Sequence, residues 1–272
     1  MKRITVLLAI IGVIGLADYV SPSVWVAYND CIYREGEFIA DNVTTFAIGR
    51  SNPHPESGNL IKLSDGKDTG VTVSFIEFKT VGSLNWAGDA AEFPDGTDAA
   101  EIFNGIVDPT GNISYGDAPG WYLDLNIEGL DPSGLYTFAG SVNRNGAADY
   151  ADRVTNWKIM GADSFTYASS AGAHKVSDDA VEFVTGINND GYVAMWTDIN
   201  PGRDGDITIR TSHGVGEENG GIAGANANKG YAAGVFMLEF QGAQAVVPSR
   251  KLTTTWGQIK FSLTIRVFSE SQ

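Results

Sequence analysis

The segment from Asp131 to Ser212 decides the fold class of this chain. It contains the runs LYTFAGSVN (135–143), RVTNWKIM (153–160), SFTYASS (164–170), VEFVTG (181–186), GYVAMWTDI (191–199) and GDITIRTS (205–212). Each run is short, rich in β-branched and aromatic residues, and bounded by Gly, Pro, Asn or Asp, as is typical of consecutive antiparallel strands. The sequence therefore predicts an all-β protein, an antiparallel β-sandwich of eight to ten strands.

Apolar and polar residues alternate within these runs and their neighbours. In GWYLDLNI (120–127), Trp121, Leu123 and Leu125 share one face, while Tyr122 and Asp124 share the other. Because side chains of a strand point alternately to its two faces, the apolar set is expected to be buried. The alternation predicts a sandwich core of Trp121, Leu123, Leu125, Tyr136, Phe138, Trp157, Val193, Met195, Phe236 and Leu238.

The N-terminus has the order of a secretory signal peptide. Lys2 and Arg3 precede an apolar run, Ile4 to Leu16, which is followed by the small residue Ala17. The run is too short to span a bilayer comfortably, so cleavage after Ala17 is expected, with an uncleaved anchor as the alternative. The sequence thus predicts a signal peptide over 1–17 and a protein that is secreted, extracellular or on the cell surface.

The remaining chain divides at Gln241. Residues 18–241 are predicted to form a single sandwich domain, and residues 242–272 a linker and C-terminal tail. The tail carries KLTTTWGQIK (251–260), which resembles short C-terminal tails on some secreted environmental-bacterial proteins. Export sorting or surface attachment is one interpretation of the tail, and a disordered end is the other.

Charge and cysteine content limit the partners and the sources of stability. The chain has 18 Lys and Arg against 33 Asp and Glu, a net charge of −15. Such a protein repels nucleic acid and anionic membranes, so neither nucleic acid nor stable membrane insertion after cleavage is expected. With one cysteine, Cys31, there is no internal disulfide, and stability must come from packing.

The sequence lacks the common catalytic patterns. There is no Gly-x-Ser-x-Gly motif for a nucleophilic serine, and the histidines His54, His174 and His213 have no metal-ligand spacing. No strand carries the closely spaced carboxylates of a jelly-roll glycosidase. The sequence therefore predicts a protein that is not an enzyme; a glycoside hydrolase is the remote alternative, because carboxylates from separate segments can perform acid–base chemistry.

No cofactor is required by the sequence, but a structural Ca²⁺ fits its acidic loops. Calcium takes oxygen ligands from Asp, Glu and carbonyl groups. Two oxygen clusters are candidates: Asp95 with Asp98 in one loop, and Asp30 with Glu239 if the first and last strands pair.

Several segments together resemble galactose-binding-like jelly-roll domains of secreted bacterial proteins. They are VAYNDC (26–31), PDGTD (94–98), FNGIVD (103–108), GLDPSGLYTF (129–138), Tyr150, Asp152-Arg153, IMGADS (159–164) and GYVAMW (191–196). The resemblance covers roughly residues 24–241. It implies a sandwich without catalysis, similar to carbohydrate-binding modules, whose relatives often bind sugars or sit on cell surfaces.

The loop from Asn143 to Arg153 is the predicted recognition surface. It joins two strands and concentrates Arg144, Tyr150 and Arg153, which supply an aromatic platform and planar hydrogen-bond donors for a polysaccharide or glycan. Cations retained in an acidic protein favour an acidic glycan. Trp86 and Trp196 are additional ligand-binding candidates. The alternative function is a structural cell-surface or extracellular-matrix protein without a small ligand.

Overall fold

A computed structural model describes residues 24–31, 40–50, 52–79, 83–85, 92–109, 111–115, 120–144, 148–226 and 228–243. The predicted signal peptide (1–17), the tail beyond residue 243 and Trp86 lie outside the described residues.

The described part of the chain contains fifteen strands and one α-helix. The strands are β1 Trp25–Asp30, β2 Ser57–Ile61, β3 Asp68–Phe78, β4 Ser83–Asn85, β5 Asn112–Tyr115, β6 Tyr122–Glu128, β7 Gly134–Ser141, β8 Val154–Met160, β9 Ser164–Tyr167, β10 His174–Ser177, β11 Ala180–Val184, β12 Ala194–Asn200, β13 Ile207–His213, β14 Gly230–Ala233 and β15 Val235–Ala243; the helix is α1 Asp98–Phe103.

The strands form three antiparallel sheets. A five-stranded sheet has the order β1-β15-β7-β12-β9, a seven-stranded sheet has the order β10-β11-β8-β13-β6-β3-β2, and a small sheet has the order β14-β5-β4. The antiparallel sandwich predicted from the sequence is confirmed. The strand count is higher than the eight to ten expected, because short strands such as β4 and β10 lack the apolar alternation used to recognise the others. A jelly-roll order of the strands stays a prediction.

Local sequence explains how the chain passes from β6 in the seven-stranded sheet to β7 in the five-stranded sheet. In β6, Leu123, Leu125 and Ile127 are buried, whereas the intervening residues are partly exposed. The chain then turns at Asp131, whose carboxylate accepts a 2.9 Å hydrogen bond from the Ser133 N–H. Such an Asx turn stabilises the reversal between β6 and β7.

The main core lies between the two large sheets. Nine of the ten predicted core residues are buried, and Met195 is partly buried. Their grouping differs from the prediction: Val193 and Met195 do not face the main core but belong to a second apolar cluster.

The second cluster covers the other face of the five-stranded sheet. There Phe103 of α1 packs edge-on to Tyr28 of β1, with ring centroids 6.2 Å apart. The Thr97 hydroxyl caps α1 by accepting a hydrogen bond from the Ala100 N–H. The second cluster therefore covers the part of this face that β1, β7 and β15 form. No helix in the described ranges is long and apolar enough to cross a membrane.

Candidate functional site

The loop from Asn143 to Arg153 crosses from one large sheet to the other, because β7 and β8 belong to different sheets. It therefore lies at an end of the sandwich, as the sequence predicts. Its start is fixed by two contacts: the Asn143 side-chain oxygen accepts from the Asn188 N–H at 2.9 Å, and the Arg144 N–H donates to the Thr185 carbonyl at 3.0 Å.

The end of the loop is held equally closely. The Arg153 N–H donates to the Tyr150 carbonyl at 3.1 Å, and the Thr185 N–H donates to the Arg153 carbonyl at 2.9 Å. Gly186 lies against the same turn, since a Cβ atom there would be 1.7 Å from the Tyr150 carbonyl oxygen. A glycine at 186 is thus required for the position of Tyr150.

The structure brings together the three residues predicted from this loop. The Arg153 guanidinium carbon lies 4.0 Å from the Tyr150 ring centroid, and that of Arg144 lies 5.5 Å from it. Arg153 also donates a 2.5 Å hydrogen bond from Nη1 to the Tyr231 hydroxyl. The sequence does not identify Tyr231 as a site residue, because residues 230–241 are predicted only to form a buried last strand.

The cluster of Arg144, Tyr150, Arg153 and Tyr231, here termed the arginine–tyrosine cluster, contains two cations that act on the buried Tyr231. Burial raises the pKa of Tyr231, and the charges of Arg153 and Arg144 act in the opposite direction. Within the described ranges no carboxylate forms an ion pair with Arg153, and its buried Nε has no hydrogen-bond partner.

A groove of about 340 Å³ adjoins this cluster. Its lining includes Ala151 and Asp152, the two residues between Tyr150 and Arg153, together with Val184 and the segment 222–225. The buried Glu182 carboxylate holds the surrounding loop by accepting hydrogen bonds from the Val215 and Ile222 N–H groups at 2.7 and 2.9 Å. The groove therefore has a fixed wall, although its sequence is rich in Gly and Asn.

Trp196 is not a surface platform, which corrects its interpretation as a ligand-binding residue. Its side chain is 0% exposed, packs 6.5 Å from the Phe138 ring and donates from Nε1 to the Asp178 carbonyl. A bulge explains the error: the pairing of β12 shifts register between Trp196 and Ile199, and Asp198 has a φ of 51°. Trp196 and Ile199 therefore both face the main core.

The structure separates the residues of one predicted metal cluster. Strands β1 and β15 pair as expected, but Asp30 is opposite Val235, and Glu239 is opposite Val26. Four residues of extended strand thus separate Asp30 from Glu239, which corrects their joint assignment. Asp95 and Asp98 are both exposed, at the turn before α1 and on its first residue. The described residues include no group of three or more His, Cys, Asp or Glu side chains arranged to hold a metal.

A second concavity lies at the edge of the main core. This cavity of about 220 Å³ is lined by Trp25, Tyr136 and Phe240 together with Thr69 and Asp131, among others. The rings of Trp25 and Phe240 stack with centroids 5.9 Å apart, and Trp25 is partly exposed. The sequence predicts Trp25 in the first strand, without a role in binding.

Comparison with protein-family models, with curated proteins and with solved structures finds no match to this chain.

Proposed function

We propose that this protein is a secreted, non-catalytic carbohydrate-binding module that binds an acidic glycan at the arginine–tyrosine cluster and the adjoining groove. The observation that carries the proposal is the environment of Arg153. Its guanidinium contacts two tyrosines, has no carboxylate ion pair within the described ranges and lies beside a groove.

The charge of Arg153 supports an anionic ligand. In a chain with a net charge of −15, carboxylates are abundant, and Arg210 for example is paired with Asp124 through two hydrogen bonds of 2.7 Å. Arg153 instead keeps its donors beside aromatic rings. A planar guanidinium binds carboxylate or sulfate groups in a bidentate way, which suits uronic acids or sulfated sugars.

The neighbouring surface supports a sugar rather than a simple anion. Tyr150 is partly exposed, and aromatic rings stack on the apolar faces of pyranose rings. The groove beside it is walled by small side chains, Ala151, Ala223 and Ala225, with the Asp152 carboxylate available to accept from hydroxyl groups. This combination of an apolar wall and a few polar groups is typical of ligand sites.

The cavity at Trp25 is the competing location for a glycan. It offers an indole and the Asp131 carboxylate but no cation, so it would favour a neutral sugar. The two locations can thus be separated by the charge of the polysaccharide.

Affinity gel electrophoresis of the full chain tests the proposal. Gels containing polygalacturonate or alginate are expected to retard the wild type, and gels containing a neutral glucan are not. Tyr150→Ala and Arg144→Ala should abolish the retardation, and Arg153→Lys should weaken it, while the melting temperature shows that each variant is folded. Arg203→Ala is the matched control, because Arg203 is an exposed arginine in the connection between β12 and β13.

Each remaining outcome contradicts the assignment. Retention by a neutral glucan that Trp25→Ala removes would place the site in the aromatic cavity. If Arg144→Ala and Arg203→Ala lost equal amounts of retardation, binding would depend only on the net charge of the protein. If no polysaccharide retards the wild type, the structural surface protein is the better interpretation.

A further inference from the structure

A cleft of about 320 Å³ lies beside α1, on the face of the five-stranded sheet that carries the second apolar cluster. It is lined by the apolar side chains of Ile102, Val193 and Met195, and by Asp98 and Glu101 from the first turn of α1. Both acidic residues are exposed, whereas Val193 is buried and Met195 is partly buried. This cleft, here termed the acidic cleft, thus combines an apolar surface with two negative charges.

Backbone hydrogen bonds hold both walls of the acidic cleft. On one side, the Ala99 N–H at the start of α1 donates to the Gly191 carbonyl at 3.0 Å. On the other side, the segment after β9 is joined to β12, because the Ala168 N–H donates to the Met195 carbonyl at 3.0 Å. The cleft is therefore formed without a ligand, which lowers the entropy cost of binding one.

The lining of the acidic cleft contains no Lys, Arg or His side chain. Within the described ranges, neither Asp98 nor Glu101 forms an ion pair. Acidic residues are common in the first turn of a helix. Here, however, they lie beside a partly exposed apolar surface, so the cleft is complementary to a ligand that is both cationic and apolar.

The charge of the chain changes sign after β15. Residues 244–272 carry four Lys or Arg against one Glu, a net charge of +3. Residues 1–243 carry the other 14 Lys or Arg against 32 Asp or Glu, a net charge of −18. The C-terminal segment is thus complementary in charge to the rest of its own chain.

One part of that segment has the chemistry that the acidic cleft requires. Residues 250–256 have the sequence RKLTTTW. Two adjacent cations, Arg250 and Lys251, are followed by the large apolar residues Leu252 and Trp256, with no acidic residue among them. Two cations and two apolar side chains match the two carboxylates and the apolar lining of the cleft.

The strand register shows that this segment can reach the cleft. Met195 is opposite Ala139, which in turn is opposite Met237 of β15. The cleft therefore lies two strands from β15 and six residues before its end at Ala243, a separation of about 22 Å at the usual strand dimensions. Residues 244–250 span about 23 Å when extended, and the long side chain of the lysine that follows extends that reach.

We propose that residues 250–256 dock in the acidic cleft of their own chain. The two cations of the segment pair with Asp98 and Glu101, and its large apolar side chains contact the apolar lining. Exposed ion pairs contribute little by themselves, so the apolar contact is needed to keep the segment bound. The short connection to β15 gives the segment a high effective concentration at the cleft, which favours its own chain over a second copy.

Carbodiimide cross-linking of the full chain tests this contact. The reagent joins a carboxylate to an amine where the two are in contact, so peptide mapping should find Lys251 linked to Glu101 or Asp98. A mixture of unlabelled and isotope-labelled chains distinguishes links within one chain from links between two chains. We expect links within one chain, and none from Lys251 to Asp95, which is exposed in the turn before α1 but does not line the cleft.

Limited proteolysis of the full chain measures the docking. Trypsin cleaves after the two cations of the segment, and it should do so about fivefold faster in Asp98→Asn/Glu101→Gln, because two exposed ion pairs are lost. Trp256→Ser should also accelerate cleavage, since it removes an apolar contact without changing the charge. Asp95→Asn is the matched control and should be cleaved at the wild-type rate. The melting temperature shows that each variant is folded.

Two results would overturn the docking. The first is a wild type in which Lys251 is linked to neither carboxylate of the acidic cleft, or is linked to them only between two chains. The second is cleavage of Asp98→Asn/Glu101→Gln at the wild-type rate. Neither readout involves a glycan, so failure of the proposed function would leave both unchanged.

Discussion

Nη1 of Arg153 and the hydroxyl of Tyr231 are joined by a 2.5 Å hydrogen bond that links the recognition loop to β14. The Tyr231 ring is 1% exposed and belongs to the main core. The guanidinium is therefore positioned by a side chain that cannot move without disturbing the sandwich. A fixed orientation lowers the entropy lost when a ligand binds.

Tyr231→Phe should weaken glycan binding while keeping the fold. The ring and its packing remain, but Arg153 loses an acceptor. We expect the free energy of unfolding to fall by about 1 kcal/mol, the typical net contribution of a hydrogen bond. Urea denaturation and affinity gels on acidic polysaccharide measure the two effects. Unchanged retardation would show that Tyr231 does not position the guanidinium.

Trp196→Ala should destabilise the protein by about 3–5 kcal/mol, as for other buried aromatic residues. The indole is fully buried against Phe138, so its removal leaves a cavity in the main core. Urea denaturation checks the value, with Phe78→Ala as control because Phe78 is 47% exposed. A folded, equally stable Trp196→Ala variant that lost glycan binding would restore Trp196 as a ligand-binding residue.

The strands were predictable where one face of a sheet is buried and the other is partly exposed. In β6, Leu123, Leu125 and Ile127 alternate with polar residues, and this alternation shows which face of the strand is buried. In β12, α1 covers the outer face, so Met195 and Trp196 both have apolar surroundings. The sequence of such a strand cannot show which face meets the main core, and the bulge at Asp198 is a further local deviation.

The sequence could predict only those residues of the candidate site that lie within one loop. Arg144, Tyr150 and Arg153 are close in sequence, so their convergence could be expected. Glu182 and Tyr231 are supplied by the distant strands β11 and β14. Those contacts depend on strand order and register, which a single sequence does not determine.

If residues 1–17 are a signal peptide, the exported protein should be shorter than the full chain. The charged, apolar and small-residue order of residues 1–17 is expected to direct secretion and cleavage after Ala17. Mass spectrometry of the protein released by its host should find Asp18 at the N-terminus. An intact Met1 in the exported species would instead identify the segment as a retained anchor.

Stability should fall at alkaline pH because buried tyrosines resist ionisation. Burial is the main cause that raises the pKa of Tyr136 to about 12, from a usual value near 10. Between these values the unfolded chain releases the proton and the folded protein keeps it, so the free energy of unfolding decreases as pH rises from about 10 to 12. Urea denaturation across this range measures the slope.

Tyr136→Phe is the control for that slope. It removes the ionisable group, so the decline should be shallower, although Tyr28, Tyr115 and Tyr231 also have raised pKa values and keep part of it. At neutral pH the variant should be slightly less stable, because the Asp131 N–H loses the Tyr136 hydroxyl as acceptor. Identical slopes for the two proteins would show that Tyr136 ionises normally in the folded state.

Gly186→Ala should disrupt the recognition loop more than any neighbouring small substitution. The added methyl carbon would lie 1.7 Å from the Tyr150 carbonyl oxygen, which is too short for a contact between non-bonded atoms. Either the turn at Tyr150 or the segment after β11 must therefore move. Either movement separates Arg153 from the Thr185 N–H and turns the guanidinium away from Tyr231. We expect a lower Tm together with loss of acidic-glycan retention. Asn189→Ala, an exposed position three residues along the same segment, should change neither property. If Gly186→Ala melts like the wild type and still binds the glycan, the close approach of residue 186 to Tyr150 does not position the site.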